Sequence, residues 1–339
     1  MRQVAKHAVD IVSNVYIPDI KAIASFYPDW FKYGKGLAGI NMMSYGDFPE
    51  IANDYSDKSI QIPRGAIING NLNEVFDVDT RDPEQVQEFV DHSWYKYPEA
   101  DKGLHPWDGI TDQHYELPPG SDGTETKFNW LAPDGKYSWI KSPRWRGHMM
   151  EVGPLARMVI GIAKNVPHYK EPALELLKEL NLPLEAAFST LGRHAARALE
   201  CEWMTHKLVQ YIDDLTANIK AGDETAANME FWEPKTWPKE CRGVGPCEAP
   251  RGALAHYCVI KNGRLENWQA VVPTTWNASP RSSEGQKGTY ELSLIGTPLA
   301  DPKRPLEIIR TIHSFDPCLA CATHLYSPEG EELTSVQVC

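Results

Sequence analysis

One stretch of the chain concentrates its chemistry: Asp316-Pro317-Cys318-Leu319-Ala320-Cys321-Ala322-Thr323-His324. Two thiols three positions apart can point at one metal, and a His three positions further on can approach the same centre. Thiolates select soft or borderline ions such as zinc, nickel, copper(I) or the iron of iron–sulfur clusters. On spacing alone three readings compete: half of a zinc site, a redox dithiol, and two unrelated buried cysteines. A zinc ribbon requires a second C-x-x-C, and Cys201, Cys241, Cys247, Cys258 and Cys339 do not form one. The pair therefore needs ligands from elsewhere or an unusual metal. Pro317 fixes its own φ and stiffens the entry.

Three further segments carry candidate residues. In Gly243-Val244-Gly245-Pro246-Cys247-Glu248-Ala249-Pro250-Arg251-Gly252, glycines and prolines suggest a loop that delivers Arg251 to the start of a hairpin. By itself this is a surface turn with a charged side chain. Val271-Val272-Pro273-Thr274-Thr275-Trp276-Asn277-Ala278-Ser279-Pro280 reads as a strand end and a polar turn. Met150-Glu151-Val152-Gly153-Pro154-Leu155-Ala156-Arg157 reads as the start of a helix.

The elements that must position these residues follow from periodicity. Val4, Ala8, Ile11, Val12 and Val15 recur at helical spacing and predict a helix over 4–20, with no capping residue before it. Asp82, Pro83 and Gln85 form a capping-box-like start, and Val86, Phe89 and Val90 an apolar face, which predicts a second helix there. Helices are expected near 155–164 and 172–180, and a long one over 184–220. On that long helix Phe188, Leu191, Ala195, Ala198, Leu208, Ile212, Leu215 and Ile219 make one apolar stripe, and Gly222 stops it. Short strands are expected at 66–68 and 75–78, and a loop over 117–136. Ala253–Ile260 and Leu265–Val272 flank Asn262-Gly263, a strong hairpin signal. A last short helix, 305–314, leads into Asp316.

Composition bounds the function. Lys and Arg number 34 against 46 Asp and Glu, a net charge of −12. Phosphate contacts need clustered cations, so a nucleic-acid partner is not expected. No apolar run reaches the roughly 18 residues of a membrane span. Met1-Arg2-Gln3-Val4 opens no apolar signal-peptide region, so export would depend on a partner's signal. The 11 Trp residues imply a large aromatic interior or a large partner surface.

Taken together, these segments are similar to the large subunit of the [NiFe] hydrogenases, the membrane-bound uptake type in particular. The resemblance rests on D-P-C-x-x-C-x-x-H (316–324), E-A-P-R-G (248–252), V-V-P-T-T-W-N-A-S-P-R (271–281), M-E-V-G-P-L-A-R (150–157) and S-Y-G-D-F-P (44–49). It runs over nearly the whole chain in the family's order. It implies a mixed α+β fold, mainly helical, with a long-helix bundle core and peripheral β-hairpins. Residues 1–324 would be the C-terminal portion of such a subunit, since the family's upstream R-x-C-G-x-C and proton-route Glu are absent. Residues 325–339 would be a tail that a nickel-dependent maturation endopeptidase removes after His324.

By the same resemblance Cys318 is a terminal nickel ligand, and Cys321 bridges nickel to an iron carrying carbon monoxide and cyanide. Arg251 hangs over the open position, oriented by a fork with Asp316. Pro250, Pro273 and Thr274 line the diatomic ligands. His324, with the carbonyl of Ala270 as a weaker candidate, sits beside magnesium or a similar ion. Cys247 departs from the family pattern, while Cys201, Cys241 and Cys258 read as packing residues. His194, His206 and His313 read as core or surface histidines. The implied reaction is reversible heterolytic cleavage of dihydrogen, with the Cys318 sulfur as proton acceptor and Arg251 as its rival. Electrons would pass to a small subunit with iron–sulfur clusters, then to a membrane cytochrome b. The small subunit's twin-arginine signal would take the pair to the periplasmic face of the membrane. Two other readings stand: a hydrogen sensor, against which the tail argues, and a truncated chain that assembles no centre.

The ligand arithmetic yields an expectation. The C-x-x-C supplies two thiolates where the family's site uses four, so this chain matured alone should hold little or no nickel. Elemental mass spectrometry checks this; stoichiometric nickel with hydrogen uptake would refute it.

Overall fold

The structure is a computed structural model that describes residues 1–99, 102–114, 135–223, 225, 227, 229–230, 232–318, 322–326 and 332–337. The chain opens with α1 (Arg2–Ile11), a π-helical turn (Val12–Tyr16) and α2 (Ile17–Phe26). Pro18 explains the interruption: in a regular helix its ring would meet the carbonyl of Asn14, and the wide turn spans that residue. The expected 4–20 helix is thus longer and broken. Two strands follow, β1 (Met42–Pro49) and β2 (Ile60–Ile67), antiparallel with Met42 opposite Ile67 and Met43 opposite Ala66.

The expected helix near residue 82 is instead a turn leading into β3 (Val86–Phe89), which pairs with β4 (Ser142–Trp145). The capping-type residues are used differently. The Asp82 carboxylate accepts from the Glu84 amide and the Gln85 side chain, and Gln85 Oε1 accepts from the Asp79 amide and Trp145 Nε1. A buried Val86 and Glu88 alternating with half-buried Gln87 and Phe89 then suit a strand, because β4 lies alongside to complete the ladder. The expected 66–68 strand lies within and just past β2, while 75–78 shows only an isolated bridge, Phe76 to Ala66. The loop expected over 117–136 falls, up to residue 134, outside the described residues.

The helices α3 (Pro154–Ala163), α4 (Pro167–Glu179) and α5 (Thr190–Lys220) match the expected pattern, with α4 starting a turn early at Pro167 and keeping Pro172 inside. Ser189 caps α5 by accepting from the Gly192 amide, so the expected 184–189 lies outside it, 184–187 as a 3₁₀ turn. Then come β5 (Glu240–Ala249), β6 (Gly252–Lys261) and β7 (Arg264–Val271) in one antiparallel sheet. Asn262 and Gly263 both take positive φ in the β6–β7 turn, as the hairpin signal requires. The glycine–proline segment before Arg251 is not a loop. It is strand β5, paired from Glu240–Lys261 to Ala249–Gly252. Pro246 is tolerated because β5 is an edge strand. Beyond β7, residues read as a polar turn form the short α6 (Pro273–Asn277), followed by α7 (Thr289–Leu294), α8 (Leu306–His313), and a hairpin of β8 (Ala322–Tyr326) with β9 (Glu332–Gln337).

Among the described residues helix exceeds strand, 38% to 21%, a mixed fold with more helix than strand as expected. The idea of a helical core with peripheral hairpins needs correction. Met43, Tyr45 and Ala66 face a cluster with Trp145, Tyr257, Val271 and Trp276, whereas Met42 and Ile67 face α3, α4 and α5 through Leu155, Val159, Ile160, Tyr169 and Ala196. The β1–β2 hairpin is therefore buried on both sides, between a strand-built and a helix-built core. The predicted stripe on α5 is buried only in its first half: Leu191 and Ala198 are covered, while Leu208, Leu215 and Ile219 are exposed.

Gly252, at the start of β6, packs closely against Gly153, just before α3. Gly252 has φ +129°, and a Cβ there would lie 2.6 Å from the Gly153 amide nitrogen. Gly263 also has positive φ, but a Cβ there would meet nothing within 4 Å. Gly263→Ala should therefore cost about 1–2 kcal/mol from φ alone, and Gly252→Ala clearly more, because backbone must also move. Denaturant midpoints of the two variants check this; equal midpoints would refute the close packing.

Candidate metal centre

Arg251 sits in the turn between β5 and β6, and that turn is held from below by Arg157 of α3. Arg157 is fully buried. Its Nε donates to Glu200 Oε1 at 2.6 Å, its Nη1 to Glu248 Oε2 at 2.8 Å, and further bonds reach the carbonyls of Ala249 and Pro250. Burial by itself would lower the guanidinium pKa, but Glu200 and Glu248 more than offset it and keep the group charged. Burial pushes the Glu248 carboxyl up, with Arg157 and the Tyr45 amide pulling back. Losing one partner of such a buried set typically costs about 3–5 kcal/mol.

The segment after α8 is held by α5. Arg193 meets Glu151 with two bonds, at 2.7 and 2.8 Å, and its guanidinium lies 3.8 Å from the Phe315 ring centroid. One turn on, Arg197 Nη2 donates to the Ser314 carbonyl at 2.9 Å. Between these clamps and Cys318, Asp316 takes φ +54°, an unusual value for a residue other than Gly, Asn or Asp. That turn aims its carbonyl at Arg251, whose Nε donates to it at 2.7 Å, while Nη2 lies 3.2 Å from Oδ1. The predicted Arg251–Asp316 pairing exists, but as one main-chain and one carboxylate contact rather than a two-pronged carboxylate fork. Both side chains stay over a third exposed, so the ion pair itself contributes little stability.

Cys318 follows as an exposed free thiol. Its amide donates to Thr274 Oγ1 at 3.1 Å. Thr274 and Pro273 are buried in the first turn of α6, which is tied to the start of α3: the Asn277 side chain both accepts from Val152 N and donates to Val152 O, each at 3.0 Å. Thus Arg251 is joined to Asp316, and Thr274 to the Cys318 amide two residues further on, so that three separate segments come together around residues 316–318, with Pro250 exposed at the turn beside Arg251. Ala270 is exposed in β7 opposite His256, in a sheet separate from β8, which holds the backbone of His324. The side chain of His324, and Cys321 altogether, lie outside the described residues. Among the described residues no group of three His, Cys, Asp or Glu gathers for a metal.

Cys201, Cys241, Cys247 and Cys258 are half-buried rather than buried. His206 is exposed, and His194 and His313 are half-buried. What sequence reasoning missed is the arginine–carboxylate framework: Arg193, Arg197 and Glu200, and the structural use of Glu151, Arg157 and Glu248. A usable signal existed in α3, where Arg157 is the only charge in Pro-Leu-Ala-Arg-Met-Val-Ile-Gly-Ile-Ala.

Residues 1–324 match the nickel-dependent hydrogenase family. The chain belongs to that family. It is 60% identical over 330 residues to an uptake hydrogenase large subunit of Rhizobium leguminosarum, covering 97% of this chain and 55% of that protein. It is 51% identical over 338 residues to the hydrogenase-1 large chain of Escherichia coli, covering 100% of this chain and 56% of that protein. Among solved structures, the [NiFeSe] hydrogenase of Desulfomicrobium baculatum superposes with a TM-score of 0.70 at 32% identity, over 93% of this chain and 57% of that one. The chain thus spans about half the length of the relatives it matches. No helix among the described residues is long and apolar enough to cross a membrane.

His194, also on α5, gives a pH dependence. Burial lowers its pKa from 6.5 to about 4, helped by Arg197, Arg193 and His313 and opposed by Asp316. The folded chain keeps it neutral where the unfolded chain protonates it, so its contribution is present above pH 6.5 and is lost as pH falls toward about 4. Unfolding free energy measured across that window should decline, and His194→Gln should flatten the decline. An unchanged slope in the variant would refute the assignment.

Proposed function

We propose that this chain supplies part of the catalytic centre of a hydrogenase large subunit, which cleaves dihydrogen heterolytically and reversibly. The observation that carries the reading is that Arg251 and Thr274, from distant segments, are bonded to the main chain and carboxylate of residues 316–318, the segment that bears the exposed Cys318 thiol. The donor chemistry fits a nickel–iron centre with carbon monoxide and cyanide on iron: a soft thiolate on one side, cationic and hydroxyl donors on the other. When bound, that centre supplies Lewis acidity and a template for the substrate.

The residues divide the remaining work. Cys318 and Cys321 are the thiolates this chain offers, and the Cys318 sulfur accepts the proton. Arg251 uses Nε and Nη2 on Asp316, which leaves Nη1 without a partner among the described residues and available to an anionic or polarisable ligand. Asp316 is what orients it. The Thr274 hydroxyl accepts from the Cys318 amide and keeps its own proton to donate to a cyanide. Pro250 and Pro273 shape an apolar wall that offers no competing donors.

His324 and the Ala270 carbonyl are candidates for holding magnesium or a similar ion. The reading extends to a small subunit with iron–sulfur clusters, a membrane cytochrome b as acceptor, and a periplasmic location through the small subunit. It also extends to an endopeptidase that cuts after His324. Among the described residues β9 is the only pairing partner of β8, so that cut would remove the partner strand and release the backbone of Ala322–His324.

The reading is tested in the assembled, processed heterodimer. Arg251→Lys keeps the charge but not the planar fork. Infrared bands of the iron's carbonyl and cyanides should persist, while hydrogen turnover drops by about 10²–10³. Persisting bands with undiminished turnover would reduce Arg251 to a structural turn residue.

A further inference from the structure

A second guanidinium lies close to Asp316. Arg197 of α5 donates from Nη2 to the Ser314 carbonyl at 2.9 Å and from Nη1 to the Arg193 carbonyl at 3.4 Å. Its Nε is closed to solvent and has no hydrogen-bond partner among the described residues. Burial lowers its pKa from the ordinary guanidinium value, and Asp316, then Tyr16, are the groups that pull back. Tyr16 reaches the same place from the π-helical turn, which Ser13 pins to α5 by donating to Glu202 Oε1 at 2.8 Å. Burial raises the pKa of its phenol, and Arg197, Cys201 and Asp316 are the groups whose charges bear on it. Single π-helical turns of this kind recur at functional sites.

A buried donor left unpaired is costly, and a neutral amide would serve the Ser314 carbonyl without burying a charge. What the guanidinium adds is a cation near the carboxylate on which Arg251 depends. Arg251 and Asp316 are both more than a third exposed, and a guanidinium and a carboxylate left to themselves favour the two-pronged fork. Here Nη2 lies 3.2 Å from Oδ1 while Nε bonds the Asp316 main chain instead. We propose that Arg197 is a positioning residue of the metal centre: its charge draws on the Asp316 carboxylate, prevents the fork and so keeps Arg251 Nη1 free for a ligand. Arg197 itself touches no reacting atom. The consequence for catalysis rests on the hydrogenase reading, whereas the side-chain geometry does not.

The purified full chain tests the geometry without metal. NMR of isotope-labelled arginine side chains reads how freely the Arg251 guanidinium rotates. Arg197→Gln keeps a donor for the Ser314 carbonyl but not the charge, so the fork should close and the rotation slow. Arg197→Lys keeps the charge and should leave the rotation as it is. In the assembled, processed heterodimer, Arg197→Gln should retain the iron's carbonyl and cyanide bands, shift the cyanide bands and lower hydrogen turnover about tenfold. Arg197→Lys should recover both. With Asp316→Asn already present, Arg197→Gln should add nothing, because it acts through that carboxylate. A role confined to the Ser314 carbonyl makes Arg197→Gln and Arg197→Lys equivalent. That equivalence, unchanged rotation in Arg197→Gln, a full effect beside Asp316→Asn, or loss of the fold in Arg197→Gln would each overturn the inference. Absence of the carbonyl and cyanide bands from the unaltered heterodimer would strike the hydrogenase reading, and the rotation measurement would still decide the role of Arg197.

Discussion

A buried guanidinium must have its donors satisfied, and Arg157 meets that demand only when three parts of the chain are in place together. Its partners lie on α5 (Glu200), on β5 (Glu248) and in the turn beyond β5 (Ala249 and Pro250 carbonyls). A buried ion set of this kind adds little net stability over a well-packed apolar one. Its effect here is positional. Any displacement of β5 along α3 would strand a charge, so the turn that carries Arg251 has one low-energy position. Tyr45 extends the constraint, because its amide donates to the other Glu248 oxygen at 2.6 Å and binds β1 into the same set.

The long helix α5 supplies a second fixed point by the same chemistry. Arg193 and Arg197, one turn apart, face the segment after α8 and take hold of a ring and a carbonyl there. The left-handed backbone of Asp316 accommodates that hold. With Ser314 and Phe315 anchored on one side and the Cys318 amide bonded to Thr274 on the other, the chain has a short span in which to turn. A positive φ at Asp316 achieves it, in a residue type whose short polar side chain tolerates that region. The exposed thiol is thus presented by a segment restrained at both ends, which is the pre-organisation a multi-ligand metal centre requires.

The two-sided burial of β1–β2 joins these fixed points. The α3 helix with its arginine lies on one face of the hairpin, and the sheet that bears the Arg251 turn lies on the other. The Arg251 turn, tied to α3 through Arg157, therefore lies where the helical and strand-built cores meet. By contrast the second half of α5 and the outer face of α1–α2 carry apolar residues that no described element covers.

Local patterns were legible where one element decides the outcome. The β6–β7 hairpin followed from Asn262-Gly263, and α3 from Pro154 and the apolar run behind it. The reading failed where a distant partner decides. Residues 82–89 carry a helix-start pattern but become a turn and a strand because β4 is there to pair with them. The segment 243–249 has the composition of a loop, yet β6 offers a complete ladder and an edge position that accepts Pro246. No sequence pattern could show that Arg157 faces Glu200 and Glu248, or that Asp316 offers Arg251 its carbonyl as well as its carboxylate. The types of residue at the centre were determined by the sequence itself, since thiolate, guanidinium and hydroxyl chemistry belongs to the side chains. Their meeting at one point was decided only by the tertiary structure, because buried charges far apart in the chain can be satisfied in only one arrangement of its helices and strands.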